Sequence, residues 1–309
     1  MMMRLAENER EGRHYAATTP IRERAVVMRE EALVLGFPQA YVTRYCSWCT
    51  GMVDPGAGGT GRVCRECGVA VYCGEECQRR GAATHRSVEC DVLAALHRED
   101  DGRLGKRLNS GFEMLDDGTV AQALYLARLG PGQLCEAPYS ALSSEDERSL
   151  LRQVCRVTSV PFEVAASCCS RVLCNCFALE LPHRGSILRI GSGCYPRGSL
   201  FNHSCSPNIS FVRVGRENIF FATKDIAAGD KMCINYIDLS LSLQERKKRL
   251  RDDYGFDCQC ERCAAGSDIG QDTFGWCASC SSASKVFGLC TICAPTDLLN
   301  ILLSSPLHE

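Results

Sequence analysis

The sequence predicts an α+β protein, mainly β around a helical middle, whose smallest parts are stapled by metal. Three observations carry this. Short β-prone runs lie on both sides of a helix-patterned stretch, turn residues punctuate them, and the 23 cysteines of the 309 residues fall largely in tight pairs.

In order, residues 1–45 hold Ala25-Val26-Val27-Met28 and Ala32-Leu33-Val34-Leu35, apolar runs split by charge that predict short strands. Residues 46–90 are dense in Cys, Gly and charge and too poor in aliphatics to fold unaided, with Gly56-Ala57-Gly58-Gly59-Thr60-Gly61 as a flexible loop. Residues 91–165 read as helical: Val92, Leu93 and Leu96, then Val120, Leu124, Leu126 and Leu129, suit amphipathic faces, and Ser143-Ser144-Glu145-Asp146 marks a helix start. Residues 166–256 alternate apolar runs with turns: Ile187-Leu188-Arg189-Ile190, Ile209-Ser210-Phe211-Val212 and Asn218-Ile219-Phe220-Phe221-Ala222 as strands, Ala227-Ala228-Gly229-Asp230 as a turn, and Gln244 to Arg251 as a charged helix. Residues 267–309 add one more cysteine cluster and an apolar end, Leu298 to Leu303.

An apolar fraction of 45% and a charged fraction of 23% are those of a globular chain able to bury a sizeable core. The net charge of −2 and a pI near 6.3 disfavour nucleic acid held by bulk positive charge. Met1 to Gly12 is polar and charged rather than a secretory signal, and no run approaches the ~18 apolar residues of a membrane span, so no membrane partner is expected. The cysteines therefore read as metal ligands in a cytoplasmic or nuclear protein, not as disulfides.

Cys46-x-x-Cys49, Cys64-x-x-Cys67, Cys73-x-x-x-Cys77, His85 and Cys90 offer eight soft or borderline ligands in 45 residues. Zinc takes four such ligands in a tetrahedron, so eight make two closed sites. The short spacers allow an interleaved pairing: Cys46, Cys49, Cys73 and Cys77 on one ion; Cys64, Cys67, His85 and Cys90 on the other. Five Arg against five acids leave the module neutral. Further on, Ser199-Leu200-Phe201-Asn202-His203-Ser204-Cys205-Ser206-Pro207-Asn208 is followed by a strand running Asp230-Lys231-Met232-Cys233-Ile234-Asn235-Tyr236, then by Tyr254-Gly255-Phe256-Asp257-Cys258-Gln259-Cys260-Glu261-Arg262-Cys263.

The first module resembles a MYND zinc finger, and the second constellation resembles a SET domain with its post-SET zinc motif. Together, over roughly residues 10–265, they resemble a SMYD-type protein-lysine methyltransferase. The resemblance implies a mainly β SET core with a MYND insertion (46–90), a helical insertion (91–165), a SET core (166–256, with 1–45 as its N-terminal part) and a zinc-bound post-SET segment (257–266). It implies S-adenosylmethionine as cofactor, a protein or peptide lysine as substrate, and protein partners at the MYND face. It implies that Cys205 joins Cys258, Cys260 and Cys263 on a third zinc. Arg13, His14, Asn175, Ser199, Phe201, Asn202, His203, Tyr236, Tyr254 and Phe256 are the implied cofactor contacts, and Tyr236 is the implied catalytic residue.

The attacking lysine must be neutral. An exposed one is neutral in only about one molecule in 10³ at pH 7. An apolar channel and a sulfonium ~5 Å away, worth ~3 kcal/mol at an effective dielectric of ~20, both favour the neutral amine. Set against the family it resembles, the chain departs at three places that bear on a rival reading, a non-catalytic adaptor: His14 stands where the opening loop has its second Gly, which weakens the enzyme; Ala82 stands where the finger usually has Trp, which weakens a peptide-binding adaptor; and the His85-to-Cys90 spacing is one residue longer than usual, which removes no ligand.

In the tail, Cys277-x-x-Cys280 and Cys290-x-x-Cys293 have the spacing of a small zinc ribbon or knuckle, a possible fourth site. The other cysteines, among them Cys155, Cys168, Cys169, Cys174, Cys176 and Cys194, are expected in the core. The helical repeat domain common after such modules is not expected within 309 residues.

Overall fold

The structure, a computed structural model, describes residues 2–9, 11–53, 61–97, 116–130, 132, 134–135, 141–267, 275–280, 282–286 and 289–305. Apart from residue 61, the loop expected at 56–61 lies outside the described residues, as does part of the helical stretch. In chain order the strands are β1 (Met3–Asn8), β2 (Gly12–Ala17), β3 (Val26–Glu31), β4 (Leu35–Gly36), β5 (Arg62–Val63), β6 (Val71–Tyr72), β7 (Cys176–His183), β8 (Ser186–Cys194), β9 (Asn202–His203), β10 (Ile209–Val214), β11 (Glu217–Ala222), β12 (Lys231–Ile234), β13 (Gly275–Cys277), β14 (Ser282–Val286) and β15 (Leu289–Cys290). The longer helices are α1 (Glu75–Thr84), α2 (Cys90–His97), α3 (Asp117–Leu129), α4 (Glu145–Thr158), α5 (Phe162–Asn175), α6 (Leu243–Tyr254) and α7 (Pro295–Ser304).

The chain divides into two compact units, one of Met1–Glu31, Glu180–Leu188 and Arg197–Glu309, the other of Ala32–Leu179 and Arg189–Pro196. In the first, a sheet runs β1-β2-β12-β9, antiparallel until β12 meets β9 in a two-residue parallel ladder, Cys233 opposite Asn202 and Ile234 opposite His203. A second sheet runs β10-β11-β3, with Val212 opposite Ile219 and Phe211 opposite Phe220. Strand alternation gives this sheet two apolar faces. On one, Phe220 meets Phe201 with ring centroids 5.1 Å apart, and Phe201 meets Tyr15 at 4.8 Å. On the other, Val212, Ile219 and Phe221 pack with Val286, Leu298 and Leu302. Gly198 is required beside Phe220, because a Cβ there would sit 2.6 Å from that ring.

In the second unit, α3 is buried nearly all round, with Val120, Ala123, Leu124 and Leu126 fully enclosed. The helix start expected at 143–146 is a capping box: the Ser144 hydroxyl accepts the Glu147 N–H and the Glu147 carboxylate accepts the Ser144 N–H. The region expected to begin as strands at 166 instead continues α5 to Asn175, because Ala165, Cys168, Cys169 and Val172 make one buried helical face. Of the run Ala32–Leu35, only its end enters a strand, Leu35–Gly36.

Candidate functional site: four ligand tetrads and an aromatic edge

Four groups of side chains place one ligand atom each within 4.8 Å of the others: Cys46, Cys49, Cys73 and Cys77; Cys64, Cys67, His85 and Cys90; Cys205, Cys258, Cys260 and Cys263; Cys277, Cys280, Cys290 and Cys293. The finger tetrads are interleaved along the chain. A tetrahedron of ~2.3 Å zinc–sulfur bonds has edges of ~3.8 Å. Observed S···S distances are 3.6 Å for Cys49–Cys73, 3.8 Å for Cys64–Cys90, and 3.5 Å for both Cys73–Cys77 and Cys205–Cys263. The donor sets and these edges fit zinc.

Local backbone explains how the finger closes. Cys67 takes N–H bonds from Val69 and Ala70, both 3.4 Å. Burial raises its thiol, but the adjacent His85 ring and these N–H groups draw it down further than burial lifts it. His85 and Cys90 are one residue further apart than such fingers usually allow. Residues His85–Glu89 form a π turn, in which the Cys90 N–H bonds the His85 carbonyl, and the extra residue is absorbed there. Ala82 leaves no Trp on α1, yet Trp48 lies beside Gly81 and carries the Arg80 guanidinium 5.0 Å above its ring.

The third tetrad lies against the aromatic edge. Cys205, Cys258 and Cys263 share a cluster with Ile237, Leu239 and Leu250, and Tyr236, Tyr254 and Phe256 pack on it half-buried. Gly255, with φ +75°, ends α6 by bonding back to the Arg251 carbonyl and turns the chain so that Phe256 faces inward. β12 stops at Ile234, so Tyr236 stands just beyond the strand. Its hydroxyl donates to the Phe201 carbonyl at 2.8 Å, and its own carbonyl accepts the Tyr254 hydroxyl at 3.2 Å.

His203 joins metal site and edge. Its Nδ1 accepts the Tyr236 N–H at 3.0 Å, so the ring proton belongs on Nε2, which lies 3.2 Å from Cys205 Sγ. Burial lowers the ring to about 4, so His203 is neutral at physiological pH. Asn202 donates to the Glu11 carbonyl at 3.0 Å, bringing the Asn-His motif to the start of β2. On β2, the buried His14 ring hydrogen-bonds the Gly12 carbonyl at 3.0 Å. Arg13 opposes Glu7 on β1, and Ser199 lies in the short helical turn Gly198–Leu200. The Phe201 ring is core, so this residue reaches the edge through its carbonyl. Asn175 lies in the second unit, fully buried; its carboxamide donates to the Cys135 and Arg171 carbonyls and accepts the Cys135 N–H.

Two arginines were not foreseen. Arg246 is fully buried on α6, bonding the Leu241 and Ser267 carbonyls, and Arg262 is 6% exposed, bonding the Cys205 carbonyl. Four thiolates around Zn²⁺ would carry a net charge of −2, and the Arg262 guanidinium, which feels Cys205, Cys260 and Cys263, offsets part of it. The signal was an Arg inside Cys260-Glu261-Arg262-Cys263. Asn208 is a bolt for β12: its carboxamide accepts the Cys233 N–H and donates to the Lys231 carbonyl, at 2.8 and 2.7 Å. Of the thiols expected in the core, Cys155, Cys168, Cys169 and Cys194 are buried, whereas Cys135, Cys174, Cys176 and Cys233 are half-buried.

In the first unit, the Cys205 tetrad and the edge together define a β domain with a four-cysteine ligand set beside a half-buried aromatic and polar rim. The family model for the SET domain matches residues 12–237. The chain belongs to the SET-domain family. It is 30% identical over 275 residues to the human (Homo sapiens) histone-lysine N-methyltransferase SMYD3, covering 82% of this chain and 59% of that protein. It is 27% identical over 295 residues to the histone-lysine N-methyltransferase ASHR2 of Arabidopsis thaliana, covering 85% and 72%. Among solved structures, the SET domain of LSMT bound to lysine and AdoHcy is similar at a TM-score of 0.34 and 14% identity, covering 83% of this chain and 53% of that one. The chain spans 59% and 48% of the length of the human and mouse (Mus musculus) SMYD3 proteins it matches.

Proposed function

We propose that this chain methylates lysine side chains of proteins, histone or otherwise, using S-adenosylmethionine, and that its MYND finger engages protein partners, in the cytosol or the nucleus. The observation that carries this reading is the Tyr236 hydroxyl, fixed on the Phe201 carbonyl at 2.8 Å within a rim of His203, Tyr254 and Phe256.

When bound, S-adenosylmethionine supplies an electrophilic methyl group on a sulfonium. The residues present suit such a cation: His203 is neutral, and Tyr236, Tyr254 and Phe256 offer aromatic faces and a hydroxyl. Arg13, His14, Ser199, Phe201, Asn202, His203, Tyr254 and Phe256 would hold the cofactor, Phe201 through its carbonyl. Tyr236 positions the reacting groups; its two neighbours, the Phe201 carbonyl and the Tyr254 hydroxyl, limit its freedom. The aromatic walls exclude water and favour a neutral lysine amine. Zinc at Cys205, Cys258, Cys260 and Cys263 ties the chain after α6 to the Asn-His segment and so shapes the rim. Zinc at the two finger tetrads holds Trp48 and Arg80 as an outward feature for partners.

Calorimetry with S-adenosylmethionine on zinc-replete protein tests the reading, followed by transfer of labelled methyl to a peptide array. Micromolar binding and label on lysine support it. An intact, zinc-loaded chain that neither binds nor transfers is the adaptor instead.

A further inference from the structure

We propose that Cys277, Cys280, Cys290 and Cys293 bind a fourth zinc, and that this ion closes residues 275–304 into a latch over the back of the β10-β11-β3 sheet. The argument stands on distances, backbone and packing, and does not depend on the reaction proposed above.

The four sulfurs lie within 4.8 Å of one another. Cys277 and Cys293 are 3.8 Å apart, and Cys280 and Cys290 3.5 Å. Each of these close pairs takes one thiol from either C-x-x-C turn, so the four surround one centre. The edges match those of a ~2.3 Å tetrahedron and are far from the ~2.05 Å of a disulfide. Cys290 receives N–H bonds from Ile292 at 3.4 Å and Cys293 at 3.3 Å, the arrangement that Val69 and Ala70 give Cys67 in the finger.

Among the described residues, little else holds the ribbon. Its strands are 3, 5 and 2 residues long, and among the described residues the cluster around its thiols adds Ile187, Ile292 and Cys293 to the three buried cysteines. A segment this small folds when a metal supplies the missing core. Once closed, it buries more than itself. Leu298 and Leu302 on α7, with Val286 on β14, cover Val212, Ile219 and Phe221, and Val26, Leu289 and Leu299 complete the contact. The opposite face of β11 carries Phe220, which packs on Phe201, whose carbonyl takes the Tyr236 hydroxyl. The fourth zinc therefore stands behind the sheet that supports the rim.

The test is elemental zinc analysis of the full chain, with amide hydrogen exchange as the second readout. Wild-type protein should carry four zinc ions per chain. Cys280→Ser with Cys293→Ser should carry three, with exchange at least ten-fold faster over 209–222 and 295–304 and unchanged over 71–90. Three ions in the wild type, with the four ribbon thiols alkylated under native conditions, would overturn the site. Loss of one ion without faster exchange would overturn the latch. Should the cysteine variant fail to fold, Leu298→Asp takes its place: it leaves the ligands intact, so four ions with faster exchange over 209–222 supports the latch, and unchanged exchange there refutes it.

Discussion

Replacing His203 by Phe keeps a ring of similar size and removes both ring nitrogens. Two contacts go with them: the 3.0 Å bond from the Tyr236 N–H and the 3.2 Å contact to Cys205 Sγ. A fully buried orphan N–H costs ~1–3 kcal/mol. Tyr236 is half-buried, so the lower half of that range applies, and the lost sulfur contact brings the total to about 2 kcal/mol. Relief of the N–H comes most directly from a shift of the backbone at Tyr236, and a displacement of ~1 Å at a reacting group costs ~10²-fold in turnover. Urea unfolding in zinc buffer, zinc content and labelled-methyl transfer read the three consequences. Stability and turnover should fall while the zinc count stays that of the wild type, because all four thiolates of the third tetrad remain. His203→Asn keeps an acceptor close to Nδ1 and should recover most of the loss. A His203→Phe protein with wild-type unfolding midpoint and wild-type turnover would refute the link between metal site and tyrosine.

Three further outcomes follow from the geometry. Tyr236→Phe loses the bond to the Phe201 carbonyl, so it should lose about 1 kcal/mol of stability and most of its turnover at unchanged zinc content; equal turnover removes the hydroxyl from the mechanism. Cys205→Ser should lose one zinc ion and S-adenosylmethionine binding together; retained zinc with normal binding means that the tetrad does not shape the rim. The third concerns His97 and Asp117, whose Nδ1 and Oδ2 are 3.7 Å apart in the second unit. Burial lowers His97 to about 4, so its contribution is present above ~6.5 and is lost as pH falls toward 4. Burial raises Asp117 to about 6, so its contribution is present below about 3.8 and is lost as pH rises through 6. The two oppose each other between pH 4 and 6. Asp117→Asn removes the offset, and its unfolding midpoint should drop steadily from pH 6.5 to 4.5 where the wild type's stays nearly flat; parallel curves would count against the pairing.

The ligand tetrads were legible because metal chemistry constrains order and spacing: C-x-x-C turns, a lone His and a C-x-C-x-x-C leave few ways to pair. Capping at Ser144 was legible for the same kind of reason, since one side chain answers one backbone donor. What the sequence hid depends on contacts far along the chain. The α5 helix was obscured because thiols at Cys168 and Cys169 act as small apolar residues, whose burial alone does not tell a helix face from a strand. The double use of His203 needs Ile234 laid parallel to it by the two-residue ladder, a pairing of which no local pattern gives notice. Arg246 reads as one more charge on a charged helix until its side chain is buried on the Leu241 and Ser267 carbonyls. The π turn at His85 is likewise visible only as a spacing that looks one residue too long.

The interleaving of the two finger tetrads has a consequence for how the finger fills and empties. Cys49 and Cys73 lie 24 positions apart, Cys64 and Cys90 lie 26 apart, and the two spans overlap. Whichever ion arrives first closes a long loop and, in doing so, draws in the chain that the other ion needs; the second closure then starts from a chain already constrained. Half-filled fingers are for that reason the least populated species on the path. Zinc should leave and enter in twos, and a falling metal supply should divide the population into dressed and bare molecules instead of thinning every molecule by one ion.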